Sequence, residues 1–274
     1  MDNRAKNYRK IKQYQKAIDD YTEAISWMPA GPPSMTFADR GDAFMELEKP
    51  AEAIKDYDKA IQSNRKQNKE LNKNDSNSKT DTLSSEYLVK KAEAYASLEK
   101  YDKATENYNN AMDAIDDLPP YKGAIYEKLG MLYRSLGINQ EAIKALSLAI
   151  KYLPLAGENP IVAYLELGNA YSDIGDNKEA LRVCSEIIKL YPNADLGYLR
   201  RGYKYYETDD YNRAIIDFNK AIDLKPTNQF AYYYRALTRI RLEQHKQATE
   251  DLRIAARLGH KEAQDLLKEN HLDW

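Results

Sequence analysis

The stretch YLRRGYKYYETDDYNRAIIDFNKAIDLKP, residues 198–226, decides the fold, because its pattern recurs along the chain. Its second half contains a run in which Ala, Ile, a large central residue and a further Ala return at fixed spacing. Seven copies of this run can be aligned, and their leading alanines are Ala17, Ala53, Ala104, Ala142, Ala180, Ala214 and Ala248. The shortest gap between these alanines is 34 residues. The sequence therefore predicts a 34-residue structural repeat with short insertions and one long insertion.

Each copy can be numbered from 1 to 34, with the leading alanine at position 20. Position 8 is Gly or Ala in every copy, position 11 is aromatic in six, and position 24 is large or apolar. Each copy contains two amphipathic stretches of roughly 13 residues, which are marginal as isolated helices. Neighbouring copies must therefore stack and share a continuous core. Small residues at position 8 let helices approach closely, and the side chains at positions 11 and 24 fill the space between them. This packing accounts for most of the 23 tyrosines.

The pattern resembles the tetratricopeptide repeat family over about 235 of the 274 residues. The resemblance implies an all-α fold, in which antiparallel helix pairs stack into a right-handed superhelical solenoid with a concave inner groove. A C-terminal capping helix would shield the last pair, as repeat arrays require.

The predicted domain organisation is a single array at residues 1–259, followed by a capping helix and tail at residues 260–274. The seven units lie near residues 1–31, 34–67, 85–118, 123–156, 161–194, 195–228 and 229–262. Residues 68–84 form a polar insertion, either a flexible loop or helix extensions with a disordered tip. The first unit begins at its fourth position, so its first helix either frays or was cut from a longer chain.

Positions 7 and 23 change together from unit to unit. Position 7 is Arg and position 23 is Asp in four units, which gives the pairs Arg4–Asp20, Arg40–Asp56, Arg201–Asp217 and Arg235–Asp251. Where position 7 is Leu129 or Leu167, position 23 is the apolar Ala145 or Val183. We predict that the two positions touch across the helices of one unit, with an ion pair where both are charged.

Little in the sequence points to catalysis. Cys184 occupies position 24, so it is predicted to be a buried core residue. His245 occupies position 17, where three other units have tyrosine, so packing is predicted there too. His260 and His271 lie in or beside the predicted cap without a metal-binding spacing, and no glycine-rich phosphate motif occurs. We predict a protein that is not an enzyme and has no cofactor or metal.

Composition limits the classes of partner and the compartment. The 41 basic and 43 acidic residues give a formal charge of −2, so no nucleic-acid partner is predicted from bulk charge. No apolar stretch is long enough for membrane insertion. A signal peptide is not visible, which favours the cytoplasm unless a leader has been removed. The abundance of Lys, Asn and Tyr suggests an AT-rich, bacterial genome.

The character of the predicted groove changes along the chain. Positions 2, 5, 9, 12 and 13 should line it, and in the early units these residues are mixed and hydrophilic: Lys6, Arg9, Asp42, Met45 and Glu93. In the last two units they are largely apolar or aromatic. The predicted partner-binding residues are Leu199, Tyr203, Tyr206, Phe230, Tyr233 and Leu237, with Arg200 and Asn169 beside them. Alternatively, the cap or residues 270–274, including Trp274, cover part of this surface.

The predicted function is that of a protein–protein interaction scaffold or adaptor, which binds a peptide or helix of a partner in the groove. Some members of the family bind chaperone tails with a two-carboxylate clamp, but the clamp is incomplete here. Asn169 stands at an expected position, whereas Leu165 replaces the Lys of the same unit and Arg200 replaces the Asn of the next. One alternative is a structural subunit of a bacterial envelope or secreted assembly, which would self-associate. Another is an RNA-binding helical repeat, which would need a basic groove and would show a steep salt dependence.

Overall fold

A computed structural model describes residues 2–28, 31–71, 81–115 and 118–273. These residues form fifteen α-helices and two 3₁₀ turns, and no β-strand occurs among them. The helices are α1 (Asp2–Lys10), α2 (Tyr14–Ser26), α3 (Ser34–Glu46), α4 (Pro50–Leu71), α5 (Thr82–Ser97), α6 (Tyr101–Asp113), α7 (Lys122–Ser135), α8 (Asn139–Tyr152), α9 (Ile161–Asp173), α10 (Asn177–Leu190), α11 (Asp195–Glu207), α12 (Tyr211–Leu224), α13 (Gln229–Arg241), α14 (His245–Arg257) and α15 (Lys261–Glu269). The 3₁₀ turns are Pro119–Tyr121 and Leu153–Ala156.

The chain divides into two compact units. Unit 1 comprises Met1–Leu132 and Lys151–Glu158, and unit 2 comprises Tyr133–Ile150 and Asn159–Trp274. In unit 1 the helices pack as the pairs α1–α2, α3–α4 and α5–α6, and in unit 2 as α9–α10, α11–α12 and α13–α14. Within a unit, the second helix of a pair packs on the first helix of the next, and α15 packs on α14. The predicted all-α repeat fold is confirmed.

The polar insertion predicted at residues 68–84 is described only at its two ends. Residues 68–71 continue α4, residues 82–84 begin α5, and residues 72–80 lie outside the described part of the chain. Asp81 caps α5, since its carboxylate accepts a hydrogen bond from the backbone N–H of Ser84 at 3.0 Å. Trp274 also lies outside the described residues.

The turn within each helix pair has one recurring geometry. The residue at position 15 has a left-handed φ of 55° to 78° in all seven units: Lys12, Glu48, Glu99, Gly137, Gly175, Asp209 and Glu243. The next residue donates its backbone N–H to the carbonyl at position 11, for example Asp210 to Tyr205 at 2.8 Å and Asp176 to Tyr171 at 2.9 Å. This is the six-to-one bond of a Schellman motif, which ends the first helix and aims the chain into the second.

The small residue at position 8 allows close contact with position 24. A Cβ placed on Gly202 would lie 2.9 Å from Cε1 of Phe218, and one on Gly41 would lie 2.7 Å from Cε1 of Tyr57. Phe218 and Tyr57 are almost fully buried. The two helices of such a pair therefore approach until the glycine backbone meets the ring.

The predicted contact between positions 7 and 23 is confirmed in all four units. Each arginine donates two hydrogen bonds to its aspartate, at 2.6–2.8 Å. Such bidentate pairs fix both the distance and the rotation between the two helices. Where the contact is apolar, Leu167 and Val183 are both buried.

Position 7 also ties each pair to the preceding one, which the sequence analysis did not foresee. Its partner is the residue at position 25 of the preceding unit. Arg40 donates to Thr22 at 2.9 Å, Arg201 to Ser185 at 3.4 Å and Arg235 to Asn219 at 2.6 Å, and Lys91 lies 2.6 Å from Asp58. Arg40, Arg201 and Arg235 therefore each bridge three helices, and Lys91 links α5 to α4.

Candidate partner-binding site

Three of the predicted binding residues meet at one pocket in unit 2. Asn169 of α9 and Arg200 and Tyr203 of α11 line a cavity of about 280 Å³. The walls also include Arg134, Ser172, Asp173, Cys184, Lys204 and Glu207. The first helices α9 and α11 thus bring together residues that are 31 to 34 positions apart in sequence.

Two polar side chains at this pocket are available to a ligand. Among the described residues, neither Asn169 nor Arg200 has a hydrogen-bond or ion-pair partner. Asn169 is half-buried and Arg200 is exposed. The amide of Asn169 can both donate and accept, and the guanidinium of Arg200 can pair with a carboxylate.

The other charges of the pocket are engaged within the protein. Arg134 donates to Glu166 at 2.7 Å and to Asp173 at 3.2 Å. Lys204 forms an ion pair with Glu207. Arg200 is therefore the unpaired charge among the described residues that line the pocket, and an acidic group is the natural complement to it.

Lys204 also lines this pocket, and the sequence analysis did not single it out. Its side chain is 9% exposed, although it ends in an ammonium group. Five of the other six units have a buried residue at the same repeat position, namely Ala43, Ala94, Leu132, Ala170 and Thr238, and the first unit has the exposed Asn7. A lysine at a position that is small or apolar in five of the other six units was the signal in the sequence that could have identified it.

Aromatic rings continue from the pocket toward the C-terminal end of unit 2. The ring centroid of Tyr203 lies 6.5 Å from that of Tyr206 and 4.7 Å from that of Tyr234, and Tyr234 lies 5.4 Å from Tyr233. Tyr234 was not among the predicted site residues. Burial, followed by the nearby Glu207 carboxylate, raises the pKa of Tyr203 to about 12, so its hydroxyl stays protonated.

The beginning of the cap covers one end of this aromatic surface. His260, which precedes α15, is 5% exposed and stacks on Tyr233, with centroids 4.1 Å apart and planes at 20°. Phe230 meets the same imidazole edge-on at 5.2 Å. Tyr203 and Tyr206 have no such ring contact with the described part of the cap, and both are half-buried, whereas Phe230 remains 49% exposed beside His260.

Leu199 requires a correction. It is 7% exposed and belongs to a core cluster with Phe218 and Ala231. Position 5 of α11 faces α12 and α13, so Leu199 is not part of the accessible surface. Leu237 is half-buried in α13.

The residues considered for chemistry lie apart from any catalytic arrangement. Cys184 is 6% exposed, as predicted, and burial raises the pKa of its thiol to about 11. His245 is exposed on the first turn of α14, so the prediction that it packs like the half-buried tyrosines at that position is wrong. Its imidazole is shorter than a tyrosine side chain. Within the described residues, no group of three or more His, Cys, Asp or Glu side chains could hold a metal ion.

Comparison with known proteins identifies the repeat. Sequence profiles described as Tetratricopeptide repeat match residues 1–30, 36–67, 85–117, 123–152 and 165–229. The chain belongs to the tetratricopeptide repeat family. A search of curated proteins finds no match to this tetratricopeptide repeat protein. No helix among its described residues is both long enough and apolar enough to span a lipid bilayer.

Solved structures share the fold of this tetratricopeptide repeat protein. One is the C-terminal part of a TPR repeat-containing protein from Cytophaga hutchinsonii, with 18% identity, a TM-score of 0.66 and coverage of 97% of this chain and 98% of that one. A tetratricopeptide repeat protein from Parabacteroides merdae has 19% identity, a TM-score of 0.61 and coverage of 97% and 95%. YrrB, described as a TPR protein with an unusual peptide-binding site, has 18% identity, a TM-score of 0.52 and coverage of 76% and 99%.

Proposed function

We propose that this protein is a non-enzymatic adaptor that binds an extended segment of a partner protein at the pocket formed by Asn169, Arg200 and Tyr203. The tetratricopeptide repeat fold is typically an interaction scaffold. The observation that carries the proposal is the pairing of an unengaged amide with an unengaged guanidinium at one cavity of about 280 Å³.

The chemistry of the pocket suggests what the segment contains. Asn169 can bond to the backbone N–H and C=O of an extended peptide, which are both exposed in such a chain. Arg200 would pair with an acidic side chain. The rings of Tyr203 and Tyr206 would cover an apolar or aromatic neighbour of that acidic residue. The proposed ligand is therefore a segment with a carboxylate next to an apolar side chain.

Affinity capture from native lysate tests this proposal. The immobilised protein would be compared with Arg200→Glu and Asn169→Ala, and bound proteins would be identified by mass spectrometry. Both variants should lose a partner that the unchanged protein retains, because charge reversal repels the acidic group and truncation removes two hydrogen bonds.

A matched control separates this pocket from general surface charge. Arg213 is an exposed arginine on α12, the second helix of the same pair, so Arg213→Glu makes the same charge change elsewhere. It should retain the partner. If Arg200→Glu and Arg213→Glu capture the same proteins as the unchanged chain, the pocket is not the binding site.

A further inference from the structure

A second pocket lies in unit 1 and differs in chemistry from the first. It has a volume of about 210 Å³ and lies between α5 and the segment that runs from the 3₁₀ turn at Pro119–Tyr121 into α7. Its walls are mainly carbon, contributed by Val89, Ile115, Ala124, Ile125 and the ring of Tyr121. Tyr121 is 60% exposed, although most large apolar side chains of this fold are covered.

The positions of the pocket residues explain why the sequence analysis did not predict an apolar site among the hydrophilic groove residues of the early units. Ile115 and Tyr121 come from the connection between helix pairs, outside the positions expected to line the groove. Val89 and Ala124 occupy positions 5 and 2 of adjacent units, where each would be an isolated small apolar residue. The connection brings Ile115 and Tyr121 beside Val89 and Ala124. Four residues that are each a weak signal in the sequence therefore form one apolar cavity.

The polar side chains at the rim of the pocket differ in how free they are to bind a ligand. Ser85 donates its hydroxyl to the carbonyl of Ala111 at 2.8 Å, and Lys128 is paired with Glu93. Glu86 has a side chain that is 57% exposed, and its described cationic neighbour is Lys90 at 3.4 Å.

Lys90 itself is held more closely by another carboxylate. Its ammonium lies 2.9 Å from Asp42, which also accepts from Arg9 at 3.1 Å. Glu86 is therefore the carboxylate at the rim with capacity for a further cation, and the complement to this pocket is an apolar group beside a positive charge.

We propose that this cavity is a second docking site, which takes one aliphatic or aromatic side chain of a partner segment and pairs Glu86 with an adjacent Lys or Arg of that segment. Burial of the apolar side chain supplies most of the affinity, and the pair with Glu86 selects the flanking charge. The preference for a basic segment is opposite to the acidic preference proposed for the pocket at Arg200.

Peptides of matched sequence can test the site on the full-length chain. The probes are Gly-Ser-Lys-Leu-Lys-Ser-Gly, the charge-reversed Gly-Ser-Glu-Leu-Glu-Ser-Gly and the apolar-deleted Gly-Ser-Lys-Ser-Lys-Ser-Gly, titrated to millimolar concentration. The readout is NMR of the ¹³C-labelled methyl groups of Val89, Ile115, Ala124 and Ile125. The Lys-Leu-Lys peptide should shift these signals, the Glu-Leu-Glu peptide should bind about twofold to fivefold more weakly, and the Lys-Ser-Lys peptide should not shift them.

Variants distinguish the cavity from the rim. Ala124→Phe fills the cavity and should weaken the Lys-Leu-Lys peptide by about tenfold or more. Val89→Thr keeps the shape of the wall but adds a hydroxyl, so it supplies the same test if Ala124→Phe loses helicity. Glu86→Lys should reverse the preference between the two charged peptides, whereas Glu52→Lys, an exposed change on α4, should not.

Three outcomes of the peptide titrations would overturn the proposal: no shift with any peptide, shifts confined to methyl groups outside the cavity, or an unchanged charge preference in Glu86→Lys. Self-association that Ala124→Phe abolishes would assign the cavity to a second copy of the chain and would also overturn it. None of these outcomes bears on Arg200 or Asn169, so the proposed adaptor site in unit 2 stands or falls separately.

Discussion

At the scale of single residues, the glycines of repeat position 8 differ in the space around them. A Cβ on Gly202 would meet the ring of Phe218 at 2.9 Å. A Cβ on Gly168 would have its first contacts with Cγ1 of Val183 at 3.6 Å and Sγ of Cys184 at 3.9 Å, which are ordinary van der Waals distances. The same repeat position therefore requires glycine in one unit and merely contains it in another.

We expect Gly202→Ala and Gly168→Ala to change stability in opposite directions. Alanine favours a helix over glycine by about 1 kcal/mol, but overpacking against the buried Phe218 costs about 1–3 kcal/mol. Gly202→Ala should therefore lower the free energy of unfolding by up to about 2 kcal/mol, while Gly168→Ala should leave it unchanged or raise it. Urea unfolding followed by circular dichroism measures both, and equal effects would show that the Phe218 contact is not limiting.

The ion pairs at positions 7 and 23 differ in burial along the chain. Asp251 is 2% exposed in its side chain and accepts from both Arg235 and Arg239, each at 2.6 Å. Asp20 pairs with Arg4, whose side chain is 57% exposed. Solvent screens the second pair far more strongly than the first.

Replacement of these aspartates by asparagine should show that difference. Asp251→Asn leaves two guanidinium groups against a buried neutral amide and should destabilise the protein by about 2–4 kcal/mol. Asp20→Asn should cost clearly less. Comparison of the urea midpoints of the two variants at neutral pH measures this difference. If Asp20→Asn lost as much stability as Asp251→Asn, the role given to burial would be contradicted.

The contact between positions 7 and 23 was predictable because one chain supplies its own internal comparison: arginine always faces aspartate, and leucine faces an apolar residue. The third contact, to position 25 of the preceding unit, was not. Its acceptors are Thr22, Asp58, Ser185 and Asn219, which share hydrogen-bonding capacity but not residue type. An alignment of seven copies does not reveal a position at which only the hydrogen-bonding capacity recurs and the residue type changes.

At the scale of elements, the turns within the pairs place non-glycine residues in the left-handed region. Glu99 has a φ of 57°, whereas Gly175 fills the same turn position with a φ of 78°. Both turns close with the same bond from position 16 to position 11, at 2.9 Å. The Schellman geometry thus overrides the conformational preference of the residue that occupies it.

Exchanging residues at this turn position should therefore change stability in a predictable direction. An L-residue in the left-handed region costs roughly 1–2 kcal/mol, part of which glycine offsets by its greater freedom in the unfolded chain. Glu99→Gly should stabilise the protein by about 0.5–1 kcal/mol, and Gly175→Ala should destabilise it by a similar amount. Thermal and urea unfolding provide the measurement; if both variants are destabilised, side-chain contacts rather than φ dominate at this position.

The cap depends on an imidazole that is held neutral. His260 is buried between Tyr233 and Phe230, and burial lowers its pKa below the ordinary value. Its Nδ1 lies 3.2 Å from a carboxylate oxygen of Glu262, without hydrogen-bond geometry. In the unfolded chain the imidazole titrates near about 6.5.

The free energy of unfolding should therefore fall in acid, because His260 takes up a proton more readily in the unfolded chain. Because the folded pKa lies below the unfolded one, the unfolded chain takes up a proton first as the pH drops through about 6.5, and this destabilises the fold. His260→Asn should reduce the difference between urea midpoints at pH 7.5 and 5.5. His245→Asn removes an exposed imidazole and should leave that difference unchanged. An identical pH dependence in both variants and the unchanged protein would exclude this role for His260.

At the scale of the whole molecule, the repeat limits how far a perturbation spreads. Each pair contacts its sequence neighbours within a unit, and stability in such arrays is close to a sum of local and nearest-neighbour contributions. Gly202→Ala should accelerate amide exchange in α11, α12 and α13 and leave α3 and α4 unchanged. Gly41→Ala, which meets Tyr57, should do the reverse. Hydrogen–deuterium exchange read by mass spectrometry would show a uniform acceleration if the array behaved as one cooperative block.

The all-α repeat fold was predictable from sequence because seven copies repeat the same packing requirement. The contact between the aromatic surface and the cap was not, since it depends on where the cap begins. Tyr206 and Tyr233 look equivalent as aromatic residues at groove positions, yet His260 stacks on only one of them. The apolar cavity near Tyr121 likewise depends on the path of a connection between pairs.

The bridge from position 7 to the preceding pair has a consequence for modular editing of the protein. Residues 195–228 span one full period, and their excision would splice α13 directly after α10. Arg235 would then face Ser185, the hydroxyl that Arg201 uses in the intact protein. The junction would present a donor and an acceptor already compatible with one another. The same excision would place Ala231 where Gly197 packs now, and a Cβ there would lie 2.9 Å from Cγ2 of Ile187. Removal of a whole period therefore keeps the polar contact of the seam but calls for glycine at Ala231 or a smaller residue at Ile187.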